Sequence, residues 1–168
     1  MIEVYSRLFV GNQLDYEGSV ARLDGWAVVH ACKEPYHRQA LGYSGKAAPK
    51  THPEYLVAQR GKRLMLNIVD ANNPMFFDRG MINQALDFIA QQHASELNIL
   101  VHCNQGESRA PSIALVYMAA RLQVLPKESL IAAEQTFRKL YPLYNPNAGI
   151  REHLRQYWQE YCSYGRAA

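Results

Sequence analysis

Apolar residues along the chain fall into two kinds of pattern. Short apolar runs occur at Ile2 to Tyr5, Leu8 to Val10, Trp26 to His30, Arg63 to Val69 and Leu97 to His102, and runs of this length between polar or turn residues read as strands. The last three are continuous enough to be covered on both faces of a sheet. Helical spacing appears instead at Ile82, Ala85, Leu86 and Ile89, at Leu130, Ala133, Phe137 and Leu140, and at Ile150, Leu154, Tyr157, Trp158 and Tyr161. From Pro111 to Ala120 only Ser112 interrupts the apolar residues, the pattern of a helix enclosed on most sides, and Pro111 suits its first turn. Strands alternating with helices predict an α/β fold: one domain over 1–168 with a central, mostly parallel five-stranded sheet flanked by helices. Ligands in such folds sit beyond the carboxyl ends of the strands.

The pattern breaks between about residues 31 and 61, where Gly, Pro, His and Lys accumulate and no period is visible. The length exceeds a simple connection. The plainer expectation is a solvated crossover with one or two short helices; the sharper one is a basic rim in which Lys33, His37, Arg38, Lys46 or Lys50 meets substrate.

Composition narrows the class without deciding it. An apolar fraction of 48% and a charged fraction of 20% are those of an ordinary folded domain. A formal charge of +3 favours anionic ligands but is too small to argue for nucleic acid. No run reaches the length of a membrane span, and the opening MIEVYSRLF has no basic region followed by an apolar core. A cytoplasmic monomer without membrane association is expected. Cys32, Cys103 and Cys162 are widely separated and form no disulfide framework or zinc spacing. The histidines at 37, 52, 93 and 153 do not converge on a metal site either.

The chemistry concentrates in His102-Cys103-Asn104-Gln105-Gly106-Glu107-Ser108-Arg109, between the last apolar strand and the enclosed helix. A loop that ends a strand and opens a helix points backbone N–H groups and the positive helix end at one place, which favours a bound anion. The same field promotes ionisation of a thiol. Arg109 can fork two donors onto two phosphate oxygens, as a lysine cannot. Cys103 is thus the candidate nucleophile, and residues 104–109 the candidate phosphate cradle. Gly106 provides the backbone freedom such a loop needs.

The arrangement HC-x-x-G-x-x-R, with five residues between Cys103 and Arg109, resembles the signature of the cysteine-dependent protein tyrosine phosphatases, in particular their small dual-specificity branch. A looser likeness runs from VYSRLFVGNQLD to YNPNAGIREHLRQYW, and is poorest between about 31 and 61. The resemblance implies hydrolysis of phosphotyrosine or phosphoserine/threonine through a phosphocysteine, without metal or other cofactor. It implies that His102 hydrogen-bonds backbone near the loop and tunes the thiolate. Because neighbouring side chains on a strand face opposite ways, His102 is not expected to act as a base on Cys103. Ser108 reads equally as a loop-ordering residue and as a helix N-cap.

A proton donor is expected on another loop. Asp70 ends an apolar run 33 residues before Cys103, a separation similar to that of the family's general acid, and is preferred over Asp78, which reads as an N-terminal helix residue. One position departs from the family. A Ser or Thr usually follows the arginine, where its hydroxyl steadies the thiolate and assists phosphate release, but this chain has Ala110. Losing a hydrogen bond to a charged group costs about 1.5–3 kcal/mol, enough to slow a step without abolishing it. The loop has no lysine and carries Glu107, which disfavours polyanionic ligands and leaves a phosphorylated protein or a small phosphomonoester. The alternatives are a catalytically weak phosphate-binding module and, less favoured, a sulfurtransferase or arsenate reductase using a related cysteine loop.

Overall fold

The computed structural model describes residues 1–163; the last positions of the expected 1–168 domain lie outside the described residues. Its centre is one six-stranded sheet in the order β1-β2-β6-β3-β5-β4. The strands are β1 (Ile2–Tyr5), β2 (Leu8–Gly11), β3 (Trp26–His30), β4 (Val57–Arg60), β5 (Arg63–Leu66) and β6 (Asn98–His102). β2, β6, β3 and β5 are mutually parallel, and β1 and β4 close the two edges antiparallel.

Five strands were expected from the apolar pattern, and the sixth, β4, corrects that count. It is an edge strand in which only Ala58 is buried while Gln59 and Arg60 are exposed, so it carries almost no apolar signal. Charged residues on an edge are a common defence against pairing with other chains. Gly61, at φ +58°, makes the turn into β5. β5 itself stops at Leu66 rather than Val69 because both partners run out there: β3 ends at His30, opposite Met65, and β4 begins at Val57, opposite Leu66.

The helices are α1 (Gln13–Gly18), α2 (Arg38–Leu41), α3 (Arg79–Ala94), α4 (Arg109–Ala120), α5 (Leu130–Leu140) and α6 (Ala148–Ser163). α3 and α4 pack on one face of the sheet, with α5 and α6 against α4. The other face is covered by α1 and by the segment Lys33–Leu41, a tight helical turn running into α2. Every residue of α4 is buried, as its unbroken apolar sequence requires. Asp78 caps α3, its carboxylate accepting from the Met81 N–H at 2.7 Å. Among the described residues no helix is long and apolar enough to cross a membrane.

The irregular region thus contains short helical pieces and one strand. Much of its basic character is tied up internally. Lys33 donates to the Lys46 carbonyl, buried His37 meets the Glu54 carbonyl at 3.0 Å, and Arg38 forks onto Glu34 at 2.7 Å. Lys46 and Lys50 are exposed.

Candidate active site

β6 delivers Cys103 to the carboxyl edge of the sheet, and the loop from Cys103 to Ser108 wraps over it before α4 begins. The Gly106 N–H points at the Cys103 sulfur, 3.3 Å away. Gly106 is required twice over: its φ is +77°, and a Cβ there would stand 2.9 Å from the Gly11 carbonyl. The loop therefore closes against the end of β2 as well as against its own nucleophile. Tyr141 holds it from the other side, its hydroxyl donating to the Gly106 carbonyl at 2.7 Å, and the Asn145 N–H binds the Glu107 carbonyl at 2.8 Å. Gln105 and Glu107 are exposed.

Arg109 opens α4 with its side chain only 9% exposed. One terminal nitrogen donates to Asn104 Oδ1 at 2.9 Å and the other to the Ile68 carbonyl at 3.3 Å. Its Nε–H has no hydrogen-bond partner among the described residues, and lies 3.9 Å from Asp70 Oδ2. Asn104 is in turn fixed by donating to Gln13 Oε1 and to the Glu34 carbonyl, each at 3.0 Å. A buried cation held by its two outer nitrogens, with its inner donor unpaired, is organised to receive an anion.

Asp70 stands at the opposite lip. Its Oδ1 accepts from the Ser108 hydroxyl at 2.8 Å, and the same hydroxyl oxygen accepts from the Asn147 N–H at 2.9 Å. Ser108 occupies the N-cap position of α4 but makes no side-chain capping bond, so its hydroxyl serves the carboxylate instead of the helix. Asn147 also reaches the Asp70 carbonyl at 3.4 Å. Gly149, in the first turn of α6, lets that helix abut the backbone of Ala71 and Asn72, where any Cβ would collide.

Behind the loop, His102 is fully buried. Its Nδ1 faces the Cys103 carbonyl at 3.4 Å and its Nε2 lies 2.6 Å from His30 Nδ1. Burial is the main cause that pushes both histidines below their ordinary range; His102 and Arg63 lower His30 further, while the Cys103 carbonyl, Glu17 and Asp15 raise His102 back only in part. Cys32 is buried as well, its thiol pushed up to about 12 by desolvation.

The structure thus brings Cys103, Asn104, Gly106, Ser108, Arg109 and Asp70 together, and leaves Asp78 as a helix cap. Tyr141, Asn147 and Gly149 escaped the sequence reading. Asn147 and Gly149 belong to the YNPNAG stretch, whose Asn-Pro-Asn-Ala-Gly composition marks a turn but not what that turn touches, and Tyr141 stands three residues before it. Ala110 is fully buried and brings no hydroxyl to the loop. Among the described residues no group of three or more His, Cys, Asp or Glu side chains could hold a metal ion.

No protein-family model matches the chain. The dual specificity protein phosphatase MPK-4 of Drosophila melanogaster is 35% identical over 79 residues, which are 46% of this chain and 19% of that protein. The chain therefore spans about a fifth of the length of the curated relative it matches. Solved structures match along nearly the whole chain. A human tyrosine phosphatase-like serine/threonine/tyrosine-interacting protein superposes with a TM-score of 0.67 at 20% identity, covering 96% of this chain and 97% of that one. DUSP15 gives 0.63 at 17% identity, over 94% and 86% of the two chains, and human DUSP28 gives 0.62 at 17%, over 97% and 96%. The chain has a small dual-specificity-phosphatase-like fold.

Proposed function

We propose that this protein hydrolyses phosphomonoesters through a phosphocysteine, with phosphotyrosine or phosphoserine/threonine of a protein as substrate. The observation that carries the reading is the buried Arg109 with its Nε–H unpaired, beside a cysteine whose sulfur already faces a loop amide. Two phosphate oxygens would take the guanidinium and the loop N–H groups. The Cys103 thiolate attacks phosphorus as the ester P–O bond breaks, and Asp70 gives its proton to the departing oxygen. The Ser108 hydroxyl, oriented by Asn147, donates to Asp70 Oδ1 and leaves Oδ2 as the proton-carrying oxygen. Water then attacks the phosphocysteine, Asp70 takes its proton, and phosphate leaves with thiolate restored. Arg109 and the amides supply the charge stabilisation, so no cofactor enters the scheme. Exposed Gln105 and Glu107 at the rim, without lysine, suit a singly phosphorylated side chain better than a polyanion.

Ala110 supports a second reading, a phosphate-binding module with little turnover, in line with a neighbour described as only tyrosine phosphatase-like. Hydrolysis of an aryl phosphate with chelator present separates the two. The enzyme reading expects turnover lost in Cys103→Ser and Arg109→Ala and deeply reduced in Asp70→Asn, with Ala110→Ser raising phosphoenzyme hydrolysis by about tenfold. An inert parent that still binds phosphopeptide, and that Ala110→Ser does not awaken, would establish the binding module.

A further inference from the structure

Three polar side chains stand in line behind the nucleophile loop, on the face of the sheet covered by α1. Arg63 Nε donates to His30 Nε2 at 3.3 Å, His30 Nδ1 lies 2.6 Å from His102 Nε2, and His102 Nδ1 lies 3.4 Å from the Cys103 carbonyl. An arginine N–H can only donate, so a single proton assignment runs through the row. His30 Nε2 accepts, which puts the imidazole proton on Nδ1. His30 Nδ1–H donates to His102 Nε2, which puts the second proton on Nδ1 of His102. That N–H then donates to the carbonyl of Cys103.

The row is built to keep these tautomers. In parallel register His30 is the direct partner of His102, so the two rings meet at one level. Tyr16 stacks on His102 with ring centres 5.1 Å apart and planes 7° apart, and Tyr36 stacks on His30 at 4.1 Å. Protonating His102 would bring two N–H groups face to face at 2.6 Å, and protonating His30 would set its Nε2–H against the Arg63 Nε–H at 3.3 Å, in a site where both histidines are closed to solvent. The charged groups acting on the pair are Arg63, Arg109, Asp15 and Glu17.

We infer that Arg63 and His30 are positioning residues for the nucleophile: by fixing the tautomer of His102 they hold the Cys103 carbonyl outward and the Asn104 N–H inward. In a trans peptide the C=O and the following N–H point in opposite directions, so a carbonyl held by His102 leaves its amide partner aimed into the cradle. With the other tautomer, the His102 Nδ1 lone pair would face the carbonyl oxygen and drive it towards the incoming anion. The inference deepens the reading of Cys103 as nucleophile and rests on it.

The test is the rate of Cys103 alkylation by iodoacetate as a function of pH, beside kcat/KM, in the full chain. His30→Phe fills the site but cannot donate to His102. It is expected to raise the pH midpoint of alkylation by about one unit, a tenfold change in the ionisation constant, and to lower kcat/KM. His30→Gln, whose side-chain N–H can still reach His102 Nε2, recovers most of the parent profile. Arg63→Met, which leaves His30 free to take either tautomer, falls between. An unchanged midpoint in folded Arg63→Met and His30→Phe would reduce the row to packing and overturn the inference. If His30→Phe does not fold, Arg63→Met and His30→Gln decide it: the former must shift the midpoint and the latter must not. Alkylation needs no turnover, so a parent that ionises Cys103 but hydrolyses nothing would sink the enzyme reading alone.

Discussion

The two flanks of the loop hold it by opposite means. On the lip formed by Asp70, Ser108 and Arg109 the groups are charged or bonded to charge, and the Asp70 side chain is 30% exposed. On the flank formed by His30 and His102 both side chains are wholly buried and neutral. Charge lines the side where protons and phosphate must come and go; behind the loop two neutral rings stand between the nucleophile and the charged end of the row, Arg63. A change on the first flank is therefore expected to appear in rates, and a change on the second in thiol ionisation and in the pH dependence of stability.

The largest effect is expected where the flanks meet. Gly106→Ala places a side chain at left-handed φ, which costs about 1–2 kcal/mol for L-residues, and drives its Cβ against the Gly11 carbonyl. The amide that faces Cys103 Sγ must then swing away. Loss of one oxyanion-type donor costs about 10²–10³ in kcat, and that is the expected fall in aryl phosphate turnover, with thermal unfolding showing a chain that still folds. A variant within tenfold of the parent would mean that this N–H does not serve the reaction.

Ser108→Ala breaks the charged flank alone. It leaves Asp70 Oδ1 without its donor and the Asn147 N–H without its acceptor. A loss of about tenfold in kcat is expected, the size of one hydrogen bond's contribution, together with a displaced acid limb of the pH–rate profile. The pair should be non-additive, as residues acting through one another are: adding Ser108→Ala to Asp70→Asn should cost little more. Full additivity would separate Ser108 from the proton donor.

The flanks also differ in how far they could be read from sequence. Cys103, Gly106 and Arg109 lie within one short segment, so spacing alone exposed them, and Asp70 followed from its place at the end of an apolar run. The parallel core followed from runs such as WAVVH and NILVH, whose burial on both faces leaves no alternation to hide. β4 did not, because an edge strand of Gln and Arg has no apolar period. Ser108's partner was illegible too, since a serine before a helix reads as a cap, and only tertiary contact with Asp70 and Asn147 redirects it. The histidine row left a trace: two strands of this chain end in His just before a loop. Their pairing required the register of β3 on β6, which no single-strand pattern contains.

The smallest effect, and the one that isolates the neutral flank, lies in acid stability. His30 and His102 have folded-state ionisation pushed below the ordinary histidine value of 6.5, chiefly by burial, and His153, whose Nε2 lies 2.7 Å from the Tyr161 hydroxyl, is lowered to about 4 by burial as well. In each case the unfolded chain binds a proton that the folded one refuses. Their contribution is fully present above about pH 6.5 and is lost as pH falls towards the folded values, each group adding about 1.4 kcal/mol per pH unit within that window. Urea unfolding at pH 7.5, 6 and 5 should therefore show stability falling with acid, and His30→Phe should flatten that slope by about one proton whatever it does to stability at pH 7.5. Ser108→Ala, on the charged flank, should leave the slope as it is. A slope unchanged in His30→Phe would mean that His30 takes up its proton while folded, and a protonated His30 has no lone pair on Nε2 to accept from Arg63.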